Sequence, residues 1–187
     1  MSKQFNYSRA RTINKKDVNS EYIEIIKDLD CKEGNHLILD SRFKNTTKAL
    51  NSIKIPIRNI YIPNPYEKVD APNWSNQFVG DFLNSWTGGA FRTVYLDYCC
   101  TLEGNAETRP RFDIQKLMEK RLVNGVLGIE LNRRDPRKSG GVRSWGDICD
   151  LINYVENLAY ENHYTYQVID GWTYGQMFVV FFNLVKG

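Results

Sequence analysis

Apolar residues recur along the chain with two periods, and the switches between them divide it into helices and short strands. In "DVNSEYIEIIKDLD", Val18, Tyr22, Ile25, Ile26 and Leu29 fall on one face of a helix, the spacing with which an amphipathic helix covers a core. "CKEGN" closes that helix with a glycine, and "HLILD" (36–40) follows as a first strand, a short apolar run of the kind buried in a parallel sheet. "TTKALNSI" offers a threonine N-cap and a buried face of Ala49, Leu50 and Ile53 before Pro56. "NIYIP" is a second strand ending at Asn64, and 65–77, with two prolines and no strong period, reads as loop or short irregular helix. "QFVGDFLNSW" predicts a brief strand that turns at Gly80, and "RTVYLD" a central strand. After Pro110, Phe112, Ile114, Leu117, Met118 and Leu122 keep helical spacing, with Gly125 marking the helix end and "GVLGIEL" the next strand.

From Ser144 the pattern S-W-G-D has the form of a capping box, and Ile148, Leu151, Ile152, Val155 and Leu158 continue a long amphipathic helix to near His163. "YTYQVIDGW" and "QMFVVFFNLV" read as an antiparallel hairpin joined by "TYG". The alternation predicts an α/β, doubly wound, mostly parallel sheet with an antiparallel C-terminal hairpin, in a single domain over 1–187 that begins with a basic arm at about 1–16. Ligands of such sheets bind outside the carboxyl ends of the strands, which singles out Asp40, Asn64, Asp81, Asp97 and Glu130.

Composition narrows the class. With 42% hydrophobic, 13% aromatic and 25% charged residues, the 187-residue chain is globular, and no apolar run reaches the roughly 18 residues of a bilayer span. "MSKQFNYSRARTINKKD" lacks the apolar segment of a signal peptide, so an intracellular protein, cytoplasmic or nuclear, is expected. Cys31, Cys99, Cys100 and Cys149 show no CxxC spacing, and His36 and His163 are the two histidines, so no metal site is expected. Adjacent residues at a strand end point in different directions, so Cys99 and Cys100 are read as reduced thiols rather than a disulfide. The net charge of +3 is unevenly placed: Lys3, Arg9, Arg11, Lys15 and Lys16 precede the first acid, and "NRRDPRKSGGVR" (132–143) forms a second basic cluster. Such clusters suit a nucleic acid, although a charged surface loop is the more frequent explanation of any one of them.

"FVGDFLNSW" and "FRTVYLDYC" resemble motifs of class I S-adenosylmethionine-dependent methyltransferases, and the order of elements over 18–186 is similar to that Rossmann-type family, whose seven-stranded sheet ends in a hairpin with the last strand inserted antiparallel. The resemblance implies S-adenosylmethionine as cofactor, across Asp40, Ser41 and Asn64, with Asp81 on the adenine amino group and Phe82 packed on the ring. It implies Asp97 beside the methyl group and substrate, with Tyr98 next to it. An exocyclic amine donates to a carboxylate, and an aromatic face packs on a purine at little entropic cost. Two departures stand out: "LILDSRFKNTTKAL" has no glycine in the first turn, where Arg42, Phe43 and Lys44 stand, and Asn64 replaces the acid that takes the ribose hydroxyls.

"DYCCTLEG" also resembles the Asp-x-Pro-Cys-Ser stretch of RNA cytosine-5 methyltransferases, with Cys100 as the cysteine and Thr101 for the serine; "GIELNRRDPR" lacks their second cysteine. Lys44, Lys116 and Glu130 are the residue types a ribose 2′-O-methylating arrangement uses. The expected function is methyl transfer to nucleic acid, RNA before DNA, with Arg133, Arg134, Arg137 and Lys138 on the substrate. The alternative is a non-catalytic module binding a nucleotide, RNA or a protein at the same edge. Structural readings compete at single positions: Asp40 and Asp81 as helix caps, the cysteines as small packing residues, and the tryptophans as core, with Trp74 the candidate stacking platform.

Overall fold

The structure, a computed structural model, describes residues 15–104, 108–133 and 145–187. The arm before Lys15, the loop residues Arg134, Arg137, Lys138 and Arg143, and the Ser144 cap lie outside the described residues.

The chain runs α1 (Lys15–Asp28), β1 (Asn35–Ile38), α2 (Asn45–Ser52), β2 (Ile60–Pro63), β3 (Trp74–Ser75), α3 (Val79–Ser85), β4 (Phe91–Asp97), α4 (Pro110–Glu119), β5 (Val123–Asn132), α5 (Trp145–Glu161), β6 (Tyr164–Tyr174) and β7 (Met177–Lys186). The sheet order is β3-β2-β1-β4-β5-β7-β6. Strands β3 to β5 in that order pair in parallel, and β7 is antiparallel to both β5 and β6. The expected mostly parallel sheet with an antiparallel C-terminal pair is present, in seven strands.

Each face of the sheet carries its own core. On one face Val94, Leu96, Leu127 and Ile129 pack with Val79 and Leu83 of α3, Ile114 and Leu117 of α4, and Leu151 and Val155 of α5. On the other face Val18, Tyr22 and Ile26 of α1 and Leu50 of α2 cover Ile38, Tyr95, Val126 and Phe181. Tyr22 lies against Tyr95 at 4.9 Å and Phe181 at 5.6 Å between ring centroids. Its hydroxyl donates to Thr93 Oγ1 (2.7 Å), whose neighbour is His36 Nδ1 (2.8 Å), and His36 Nε2–H donates to the Lys32 carbonyl (3.2 Å). That geometry fixes a neutral, fully satisfied histidine in an apolar layer.

Three boundaries differ from the sequence reading. The third strand is Trp74–Ser75 rather than 77–80, and "VGDFLNS" is helix α3, because Val79, Phe82 and Leu83 at helical spacing bury one face. Trp74 is a packing residue, its Nε1–H donating to the Asn64 carbonyl (3.2 Å). Helix α2 begins at Asn45 without a threonine cap of its own; the cap comes from Asp40, across the preceding turn. Helix α4 ends at Glu119, and Gly125 lies in β5 at φ +147°, where a Cβ would sit 2.3 Å from the Arg92 carbonyl oxygen. Gly125 therefore allows β5 to close on β4 rather than ending a helix. Among the described residues no helix is long and apolar enough to cross a membrane.

Candidate functional site

A cleft of about 600 Å³ opens at the carboxyl ends of β1, β2 and β4, walled by the N-terminal turns of α3 and α4. Five acids line it, Asp40, Glu67, Asp81, Asp97 and Asp113, against one described base, Arg109. The chain leaves β1 through Asp40, whose Oδ1 accepts the Ser41 N–H (3.0 Å) while Oδ2 accepts both the Thr47 N–H and its hydroxyl (2.7 Å each). Asp40 is thus the cap of α2, satisfying a donor that the helix start leaves open. Without glycine, the turn still closes: the Lys44 N–H donates to the Ser41 carbonyl (2.9 Å), and Lys44 itself takes the left-handed conformation at φ 54°.

The β2 end is tied to that turn. Asn64 Nδ2 donates to the Asp40 carbonyl (3.0 Å), and its Oδ1 accepts the N–H groups of Tyr66 (2.9 Å) and Glu67 (3.3 Å). Glu67 Oε1 in turn accepts the Arg42 N–H (2.8 Å). Glu67 is a cleft carboxylate that the strand-end rule passed over, because it stands four residues beyond the β2 tip; an acid just after an expected Asp/Glu position was the available signal. Tyr66, largely exposed, spans the mouth: its hydroxyl lies 2.7 Å from Thr108 Oγ1 and its ring meets Phe78 edge-on at 5.8 Å.

No protein-family model matches the sequence, and no curated protein matches it. Solved structures share its fold. A S-adenosylmethionine-dependent methyltransferase from Clostridium acetobutylicum ATCC 824 has a TM-score of 0.62 at 9% identity, over 94% of this chain and 93% of that one. Magnesium protoporphyrin IX methyltransferase from Synechocystis PCC 6803, with bound S-adenosylhomocysteine, gives 0.58 at 10% identity, over 100% and 90%. A candidate RNA methyltransferase from Pyrococcus horikoshii gives 0.53 at 10% identity, over 98% and 92%. This is the class I methyltransferase-like Rossmann fold.

Within this methyltransferase-like fold, Gly80-Asp81 lies after β3, in the first turn of α3, with Asp81 exposed on the cleft wall. Phe82 does not reach the cleft. It is turned into the core against Tyr61 (6.2 Å) and Trp86 (5.5 Å), since it is adjacent to Asp81 and neighbouring helix residues do not share a face, and Phe78 and Phe112 supply the aromatic lining instead. Gly80 allows α3 and α4 to meet: a Cβ there would stand 2.6 Å from the Phe112 ring and 2.9 Å from Asp113 Oδ1.

Asp113 is the second functional candidate absent from the sequence reading. Buried in the first turn of α4, it accepts the Tyr98 hydroxyl (2.7 Å) and the Gly80 N–H, so one carboxylate joins the β4 tip, α3 and α4. Burial, partly offset by those hydrogen bonds, pushes its carboxyl up to about 6. Helical spacing marked its neighbours Ile114 and Leu117 as core, and nothing local distinguishes a buried acid from a first-turn dipole partner.

At the β4 tip Asp97, Tyr98, Cys99 and Cys100 all line the cleft. Tyr98 is buried, its hydroxyl held by Asp113. Burial, with Cys99 and Asp113 nearby, pushes the Cys100 thiol up to about 11, the opposite of what a cytosine-5 nucleophile needs. Arg133, expected on the substrate, turns to the hairpin: its guanidinium donates to the Gly175 carbonyl and its N–H to the Gln176 carbonyl (2.8 Å). The lysines and glutamate suited to a ribose-methylating arrangement are not brought together in the cleft. Lys44 reaches the Asp70 carbonyl (3.0 Å), Lys116 pairs with Glu119 (2.9 Å), and Glu130, fully buried, accepts the hydroxyls of Tyr95 and Tyr174.

Proposed function

We propose that this chain is a S-adenosylmethionine-dependent methyltransferase that acts on RNA. The observation that carries the reading is the acid-rich cleft at the carboxyl edge, with Asp40, Glu67, Asp81, Asp97 and Asp113 facing one described arginine. Such a field favours a ligand with a sulfonium and an ammonium, and disfavours a nucleotide phosphate. The residues present fit the group: Asp81 for an exocyclic amine, Glu67 beyond the β2 tip for hydroxyls, and Phe78 and Phe112 for a purine face. The chemistry supplied by a bound S-adenosylmethionine is an electrophilic methyl group. This chain's own contribution is to orient the acceptor at Asp97, hold the β4 tip through Tyr98 and Asp113, and exclude water with the Tyr66–Phe78 rim. RNA as acceptor is supported by the two basic clusters of the sequence, at 3–16 and 132–143.

A second reading, a non-catalytic module using the same edge, draws support from Asp40 and Asn64. Their polar atoms are occupied by the turns they hold rather than turned to a ligand. Calorimetry separates the two. S-adenosylmethionine and S-adenosylhomocysteine are both expected to bind, and Asp81→Ala to weaken binding by about tenfold, the loss of one charge-assisted hydrogen bond, with the melting temperature unchanged. Absence of heat for both ligands with intact folding sinks the methyltransferase reading. For the acceptor, RNA affinity measured across a salt series is expected to fall steeply as salt rises; a flat response would show that the basic clusters touch no phosphates.

A further inference from the structure

Asp113 has partners on two walls of the cleft, and the proposed reaction uses one of them, Tyr98. The other is α3. A helix start leaves its first N–H groups without acceptors, and Phe78, at the N-cap position of α3, has no side-chain oxygen to offer them. The Asp113 carboxylate, reaching over from the first turn of α4, accepts the Gly80 N–H and so caps α3 from another element. The approach requires glycine, since a Cβ on Gly80 would stand 2.9 Å from Asp113 Oδ1. On the opposite side Asp113 Oδ2 accepts the Tyr98 hydroxyl (2.7 Å). Each partner stands one residue from an acid on the cleft wall: Gly80 precedes Asp81, and Tyr98 follows Asp97.

A carboxylate is costly at this position. Asp113 is 6% exposed, and burial pushes its carboxyl up to about 6 against the pull of the Tyr98 and Gly80 hydrogen bonds and the charge of Arg109, with the nearby Asp81 adding to the rise. An apolar side chain in the first turn of α4 would fill the place without that cost. What the carboxylate adds is direction, because donors from two separate walls converge on it. We propose that Asp113 is a positioning residue for both halves of the cleft, setting Asp81 through the first turn of α3 and Asp97 through Tyr98. Its oxygens are taken by these two donors, so it acts through them rather than on a ligand. The inference rests on the reading of Asp81 as the adenine contact and of Asp97 as the acceptor's partner.

The test is a mutant cycle on the full chain, read by calorimetry with S-adenosylhomocysteine and by incorporation of labelled methyl into RNA. Asp113→Asn keeps one acceptor and turns a donor on the other partner. S-adenosylhomocysteine affinity is expected to fall by about fivefold, and methyl transfer by more than that loss of affinity accounts for. In an Asp81→Ala background the same substitution is expected to leave affinity where Asp81→Ala alone puts it, because a residue that acts by placing Asp81 has nothing left to place. A merely structural role would add its loss in both backgrounds. Tyr98→Phe keeps the carboxylate and the cap of α3, and is expected to lower transfer by about tenfold with S-adenosylhomocysteine affinity unchanged. If Asp113→Asn does not fold, Tyr98→Phe decides alone. Equal losses of affinity with and without Asp81, affinity unmoved by Asp113→Asn in a folded protein, or transfer unmoved by Tyr98→Phe each overturn the proposal. A native chain that binds no S-adenosylhomocysteine or transfers no methyl to RNA overturns the proposed function itself, and this inference with it, an outcome distinct from the other three.

Discussion

On the proposed function, Asp97→Ala is expected to lower methyl transfer to RNA by about 100-fold, the scale on which losing the orientation of a reacting group acts, while S-adenosylhomocysteine affinity changes little. The residue ends β4 in register with Glu130 of β5, and it lines the cleft beside the Tyr98–Asp113 bond. The next residue, Tyr98, is held by Asp113 and by the Glu130 carbonyl, and those bonds at the tip remain when the carboxylate is removed. The measurement is incorporation of labelled methyl into RNA, with calorimetry in parallel. A loss of rate confined to a matching loss of cofactor affinity would reassign Asp97 to cofactor binding, and an unchanged rate would remove it from the chemistry.

The second large effect is on stability against pH, where two buried groups act with opposite signs. Burial pushes His36 down to about 4 from 6.5, so its contribution is fully present above pH 6.5 and is lost as the pH falls towards 4. Burial pushes Asp113 up to about 6 from 3.8, so its contribution is fully present below pH 3.8 and is lost as the pH rises through 6. Each is worth about 3 kcal/mol across its window. In the native chain the two largely cancel between pH 4 and 6.5. Asp113→Asn is expected to leave the histidine's loss exposed, with stability falling by about 3 kcal/mol on acidification over that window relative to the native chain. His36→Gln is expected to show the reverse slope. Urea unfolding at several pH values reads both; parallel profiles for all three proteins would show that neither group titrates differently on folding.

These predictions rest on features of unequal legibility. The helical stripe of α1 and the apolar runs of β1, β2, β4 and β5 are written locally, because one-sided burial forces a period on the residues. The "VGDFLNS" segment shows where that logic stops: a seven-residue helix has two turns, too few for its period to be told from a short strand's run. Gly125 likewise carries no local mark that separates a helix end from a close strand approach.

At the site, Asp40, Asn64 and Asp97 were legible because strand ends converge on one edge of any sheet of this topology, whereas Asp81 was reached through a strand expected up to Gly80, where the structure has the first turn of α3. Glu67, Asp113 and the aromatic rim of Tyr66, Phe78 and Phe112 were not, since loops and helix starts bring them in from positions without a periodic signature.

By itself, then, the sequence determined most of the order of elements, the mostly parallel sheet and the edge at which the cleft opens, through the spacing of apolar residues along each segment. Tertiary structure alone decided the rest. It placed Phe82 in the core, gave Asp40 and Asn64 to the loops they tie together, and set Asp113 among three cleft walls. It also brought both cysteine residues of "DYCC" to the lining of the cleft. The reason is physical: a period reports which face of an element is dry, whereas a side chain's partners and the proton affinity of a buried acid depend on what other segments bring against it.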